Sequence, residues 1–196
     1  MIYNFYDWDD TVVLSRSAIY LSYMYALKKV TGTSLPWGEF NSKLYANANS
    51  YMAQLGFTEK TMREVKRVKN EEYFNRYWKD ITVLIKPEDL LQNEKHTIVS
   101  NTTYEVIDTI LKHLNMREYF DEIYGSDIYL GVNRKPAPDL YNYAFSQIEK
   151  NFDKTNDSIV IHEDSPFGLT SATSFYEQHK NKIKNFKIIY KPQSFD

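Results

Sequence analysis

Apolar and polar positions along the chain fall into three regimes. Met1 to Tyr6 is a short run of Ile, Tyr and Phe that stops at Asp7-Trp8-Asp9-Asp10, which predicts a buried strand with acids at its carboxyl end. From Arg16 to Lys79 the period lengthens to that of helices. Ile19, Tyr23, Ala26 and Val30 share one face; Phe40, Leu44, Ala48 and Tyr51 a second; Met62, Val65 and Val68 a third. Gly32 and Gly56 read as helix stops, Pro36 as the opening of the second helix and Thr58 as the N-cap of the third. Beyond this helical insert, strand and helix alternate. Strands are predicted at His96–Ser100, Ile123–Tyr124, Ile159–His162 and Phe186–Tyr190, and helices at Tyr104–Leu114 and Asp139–Glu149. Short β-rich runs separated by helices signify an α/β fold, a parallel sheet with helices on both faces.

Such sheets bind ligands beyond the carboxyl ends of their strands, and three of the predicted ends are polar: Asp7-Trp8-Asp9, Ser100-Asn101 and Glu163-Asp164. Composition narrows the chemistry. The chain has 196 residues, 42% hydrophobic and 26% charged, as expected of a folded, water-soluble protein of one domain with a small subdomain. It has no cysteine, which excludes disulfides, thiolate zinc sites and cysteine nucleophiles, and leaves oxygen ligands with carboxylate or hydroxyl chemistry. Its net charge of -2 gives no overall attraction to nucleic acid. No apolar stretch is long enough to cross a bilayer and the start does not read as a secretory signal, so the expected address is the cytoplasm.

Asp7 and Asp9, separated by Trp8, allow one carboxylate to face a substrate while the other handles protons. Acidic residues at such turns equally serve as helix caps. Ser100-Asn101-Thr102 offers hydroxyl, amide and N–H donors to an anion, or plain capping. Lys135 lies in Arg134-Lys135-Pro136-Ala137-Pro138, where prolines stiffen the loop around an ammonium group. Glu163-Asp164-Ser165-Pro166 supplies hard oxygen ligands of the kind that suit Mg²⁺. His96, His113, His162 and His179 show no metal-binding spacing.

Taken together, these four segments resemble the haloacid dehalogenase-like superfamily. Phe5-Tyr6-Asp7-Trp8-Asp9-Asp10-Thr11 is similar to its first motif and Ser100, after Ile98-Val99, to its second. Lys135-Pro136-Ala137-Pro138-Asp139 resembles the third, and Ile161-His162-Glu163-Asp164-Ser165-Pro166-Phe167-Gly168 the fourth, in the form found among small-cap members related to β-phosphoglucomutase. The resemblance runs from Phe5 to about Ala172. It implies a Rossmann-like three-layer core formed by residues 1–15 and 84–196, with a small helical cap, residues 16–83, inserted after the first strand. Two departures stand out. Asp10 replaces the usual glycine, which bears on backbone geometry, and a longer stretch through Tyr176 and Lys184 precedes the last strand, which bears on the sheet edge.

The resemblance also implies roles. Asp7 would attack phosphorus to form an aspartyl-phosphate, and Asp9 would protonate the leaving alkoxide and then deprotonate the attacking water. Mg²⁺ would be held by Asp7, Asp164 and the backbone carbonyl of Asp9, with Glu163 orienting water around it. Thr11, Ser100, Asn101 and Lys135 would bind the phosphoryl group. Apart from the resemblance, Arg16, just beyond the first motif, and Lys86, before Pro87, are candidates to approach the substrate from the cap hinges. The second aspartate argues against dehalogenation, which has no alkoxide to protonate. The expected activity is hydrolysis of a small phosphomonoester, a nucleotide or a sugar phosphate. The alternatives are a phosphomutase, a polynucleotide phosphatase using Lys180, Lys182, Lys184, Lys187 and Lys191, and a catalytically silent binding protein.

Overall fold

The computed structural model describes residues 1–45, 47–128 and 131–194. Along the chain run β1 (Ile2–Tyr6), β2 (Val13–Leu14), α1 (Arg16–Thr31), α2 (Trp37–Glu39), a π-helical turn (Phe40–Leu44), α3 (Ala48–Gln54) and α4 (Glu59–Asn75). Then follow β3 (Thr82–Val83), β4 (Lys95–Val99), α5 (Tyr104–His113), β5 (Glu122–Tyr124), α6 (Asp139–Ile148), β6 (Ser158–Glu163), α7 (Pro166–His179) and β7 (Asn185–Tyr190). The chain divides into two compact units, one of Met1–Leu14 with Val83–Asp196 and one of Ser15–Thr82.

The first unit is an α/β, Rossmann-like fold built on five parallel strands in the order β5-β4-β1-β6-β7. Strand β1 lies at the centre, paired with β4 on one side and β6 on the other, so the direction of winding reverses beside it. The crevice at such a switch point opens at the carboxyl end of β1, where Asp7 stands. Because side chains alternate along a strand, Phe5, Ile159 and Ile161 share a face, and there they bury against Leu140, Tyr141 and Phe145 of α6 and Phe175 of α7. The run after Ala172 continues α7, the 14-residue helix begun at Pro166, to His179, and β7 then pairs with β6 over six residues, so the sheet edge is regular despite the departure from the resemblance.

The opposite face carries polar residues beside β1. Asn4 donates to Glu94 Oε2 at 2.7 Å and its Oδ1 accepts from His162 Nε2 at 3.2 Å. His96 donates through Nε2 to Leu91 O at 3.0 Å, and its Nδ1 is hydrogen-bonded with the Tyr6 hydroxyl at 3.2 Å. The Tyr6 ring stacks on His162 with centroids 4.3 Å apart. Burial, helped by Lys191, His96 and Lys187, pulls the His162 pKa from 6.5 down to about 4. A histidine kept neutral by folding is protonated first in the unfolded chain. Its contribution is therefore complete above pH 6.5, is lost as pH falls toward 4, and changes no further below that. The shift corresponds to roughly 2–3 kcal/mol for this mostly buried ring. Denaturant unfolding at pH 7 and pH 4 should show wild type losing that much more stability than His162→Phe; parallel losses would refute the assignment.

The second unit is helical. α1 and α4 pack together around Ala26, Leu27, Phe40, Met52, Val65 and Val68. Gly32 ends α1 in a left-handed conformation, φ 73°, and the Thr58 hydroxyl caps α4 by accepting from Thr61 N. The face predicted to run continuously through Phe40, Leu44, Ala48 and Tyr51 is broken. Phe40–Leu44 widens into a π-helical turn, and the Asn47 side chain accepts from Ser50 N to start a new helix. A side chain that bonds its own local backbone here overrides the apolar periodicity.

Candidate active site

Three strand ends meet at one buried ammonium group. Lys135 Nζ donates to Asp7 Oδ1 (2.8 Å, after β1), to Val99 O (2.7 Å, the end of β4) and to Glu163 Oε1 (2.6 Å, the end of β6). Nζ also lies 4.8 Å from the centroid of the Tyr141 ring, whose hydroxyl donates to the same Glu163 Oε1 at 2.5 Å. All three donor positions of the lysine are thereby used in binding together the central strands of the sheet. The loop that carries Lys135 is itself pinned. Asn101 Nδ2 donates to Lys135 O at 3.1 Å, and Lys135 N donates to Asn101 Oδ1 at 2.8 Å. Asn101, expected to bind phosphate, thus has its side-chain amide turned onto the main chain of the lysine.

Asp7, Glu163 and Asp164 are all buried, and each offers one carboxylate oxygen within 4.8 Å of the others. Three carboxylates around one ammonium leave the cluster rich in negative charge. Burial, followed by the Asp7 charge, pushes the Glu163 pKa up to about 7, against the opposing pull of Lys135. Burial lowers the pKa of Lys135, but Asp7 and Glu163 outweigh it and hold the lysine charged. The Tyr141 phenol is pushed well above its ordinary range by burial and by Glu163. Glu163 Oε2 is buried and makes no hydrogen bond among the described residues. Excess negative charge together with an unused carboxylate oxygen is what a hard divalent cation would fit.

The loop after β1 turns tightly. Val12 N and Val13 N both donate to Trp8 O, at 3.0 and 3.2 Å, and Asp10 N donates to Val13 O at 2.7 Å. Asp10 has φ 61°, the left-handed region that glycine enters freely and aspartate more readily than most residues. The departure from glycine therefore keeps the backbone shape. Thr11 Oγ1 is buried without a hydrogen-bond partner among the described residues, as a donor awaiting an anion would be. Asp9 is linked to the loop after β4, its Oδ2 accepting from Thr102 Oγ1 at 2.5 Å. Ser100, almost fully buried, donates its N–H to Tyr124 O, and its hydroxyl accepts from Thr102 N.

Direct contact thus unites Asp7, Lys135 and Glu163, with Asp164 completing the acidic cluster, while Asp9 and Ser100 are joined through Thr102. Arg16 belongs to the helical unit, where it donates to Asn41 Oδ1 at 3.0 Å and lies 4.4 Å from the centroid of the Tyr45 ring. Lys86 is exposed, and its backbone N–H bonds Asp89 at the start of a short 3₁₀ turn. The sequence did not single out Tyr141, and for Gly168, already within the fourth motif, the structure supplies the reason. Tyr141 sits in an apolar stripe with Leu140, Ala144 and Phe145, which reads as core, and so it is except for its hydroxyl. Gly168 is needed because a Cβ there would overlap the Glu163 carboxylate.

A five-stranded parallel sheet with its switch point at β1 and a buried carboxylate cluster at that point define a Rossmann-like α/β protein with an acidic site at its strand ends. The family model for haloacid dehalogenase-like hydrolases matches residues 5–178, and the chain belongs to that family. No curated protein matches it. Among solved structures it is similar to CbbY from Rhodobacter sphaeroides in complex with phosphate, at TM-score 0.75 and 16% identity, covering 98% of this chain and 86% of that one. It is also similar to a protein assigned as a phosphoglycolate phosphatase from Lactobacillus plantarum, at 0.74 and 15%, covering 97% and 95%. A haloacid dehalogenase-like family protein from Streptococcus pneumoniae matches at 0.71 and 16%, covering 95% and 92%. At these identities the likeness establishes the shared fold.

Proposed function

We propose that the protein is a Mg²⁺-dependent phosphatase that hydrolyses a small phosphomonoester through an aspartyl-phosphate on Asp7. The observation that carries this reading is the lysine clamp. Lys135 fixes Asp7 Oδ1 on one side, which orients the carboxylate and leaves Oδ2 as the attacking atom. Asp9, anchored by Thr102, is the proton donor to the departing oxygen and then the acceptor from water, two steps that mirror each other. Ser100 and Thr11 supply hydroxyl groups to the phosphoryl oxygens. Asp7 and Asp164, with the Asp9 carbonyl, would hold Mg²⁺, and Glu163 supports it from beside them. When bound, the ion supplies positive charge that relieves repulsion between the nucleophile and an anionic phosphate. We read the helical unit of residues 16–83 as the cap. Phosphate bound to CbbY, and xylulose-(1,5)-bisphosphate bound to a variant of it, support a small sugar phosphate or related metabolite as substrate.

The lysine-rich run near the carboxyl terminus favours a polynucleotide less than its count suggests. Lys180 pairs with Glu177 at 2.9 Å and Lys182 with Glu149 at 2.5 Å, so part of the run is already neutralised. Among the described residues no helix is long and apolar enough to cross a membrane. The test is phosphate release from 4-nitrophenyl phosphate and a panel of metabolite monoesters, with Mg²⁺ and with a chelator. Turnover should fall at least roughly 100-fold on chelation. A folded protein silent toward every monoester would overturn the proposal.

A further inference from the structure

We propose that Thr102 is the positioning residue for Asp9, fixing the orientation in which its carboxyl group faces the leaving group. This rests on the phosphatase reading above and adds to it a residue to which the resemblance gives no role. An aspartate carboxyl turns about a soft terminal torsion, so a strong hydrogen bond acts directly on its orientation. Thr102 Oγ1 supplies that bond, donating to Asp9 Oδ2 at 2.5 Å. A hydroxyl can both donate and accept, so the contact can hold Asp9 in the same orientation whether its carboxyl is charged or neutral.

The threonine is in turn held on both sides. Its N–H donates to Ser100 Oγ at 3.2 Å, and its carbonyl accepts from Ser126 N at 3.2 Å. Gly125 leaves no room for a side chain against Thr102 O and Tyr104 N, and Tyr104 N donates to Asp127 Oδ1 at 2.8 Å. The turn after β5, at the edge of the sheet, therefore reaches the chemistry through one hydroxyl group. In the first step the Asp7 oxygen–phosphorus bond forms, the ester oxygen–phosphorus bond breaks, and the Asp9 proton passes to the departing oxygen. In the second, water adds to phosphorus, its proton passes to Asp9, and the bond to Asp7 breaks.

A general acid matters most for basic leaving groups, which provides a readout that loss of structure would not mimic. Wild type, Thr102→Val and Thr102→Ser are compared for kcat/KM with Mg²⁺ on 4-nitrophenyl, phenyl and 4-methoxyphenyl phosphates, together with Asp9→Asn. Thr102→Val should lose no more than about threefold on the nitrophenyl ester and roughly 10- to 100-fold on the methoxyphenyl ester, as Asp9→Asn does more strongly. Thr102→Ser, which keeps the hydroxyl, should stay within about threefold of wild type throughout. Thr102→Ala serves as the hydroxyl-free variant if Thr102→Val does not fold. An equal loss on all three esters, or no loss on any, overturns the role of Thr102 and leaves the phosphatase reading standing. A wild type silent on all three overturns that reading and this one with it.

Discussion

Asp7→Asn is expected to abolish phosphate release, with a loss of roughly 10⁴-fold or more, the scale seen when a covalent nucleophile is removed. The argument is geometric as well as chemical. An amide carbonyl can still accept from Lys135 Nζ, so the contact that orients residue 7 survives while the nucleophilic oxygen is gone. The Asp7 charge is also one of the causes that raise the Glu163 pKa, and removing it lets the buried glutamate ionise more easily. The variant should therefore fold with a melting temperature close to that of wild type and still bind inorganic phosphate. Acid-quenched wild type mixed with substrate should carry a covalent phosphoryl group that the variant lacks. Retention of more than a tenth of wild-type turnover by a folded Asp7→Asn protein would remove Asp7 from the role of nucleophile.

Lys135→Met is expected to be the most damaging change to stability. Methionine fills much of the same space but leaves Asp7, Glu163 and the Val99 carbonyl without the cation that all three share. Removing one partner of a buried charge network costs about 3–5 kcal/mol, because the remaining charges stay buried and uncompensated. For a chain of this size that corresponds to a fall in melting temperature on the order of 10 °C. Mg²⁺ should raise the melting temperature of the variant more than that of wild type, since the acidic cluster has lost the counter-charge of Lys135. Thermal melts with and without Mg²⁺ decide the matter. A metal-free Lys135→Met protein that melts within about 2 °C of wild type would show that the clamp is not structural.

The sheet could be read from the chain because its strands are short apolar runs that end in polar clusters. Ile159 to His162, with Glu163-Asp164 after it, announces both a buried strand and a site. Lys135 was harder to weigh, since a loop lysine is ordinarily solvated, and only the packing of three strand ends around it explains why this one is buried. Helix boundaries were less accessible where side chains compete with the backbone. Asn47 begins a helix inside what reads as one apolar face, and the fourteen residues of α7 show too weak an apolar stripe to declare themselves. Hydroxyl groups were least accessible of all. Tyr141 and Thr102 look like a core aromatic and a turn residue until the partners of their oxygens are known.

Gly168 gives the fourth motif a meaning beyond its carboxylates. The glutamate side chain at 163 rests directly against the backbone of α7, in the space that any larger residue at 168 would occupy. The first turn of α7 is thus a wall of the site, and the Ser165 hydroxyl, accepting from Gly168 N at 3.0 Å, holds that wall where it is. Glutamate length at 163 and the missing methyl at 168 form one unit. A shorter acid at 163 would open a gap that a small side chain at 168 could fill, so a substitution at 168 is expected to be tolerated better alongside Glu163→Asp than alone.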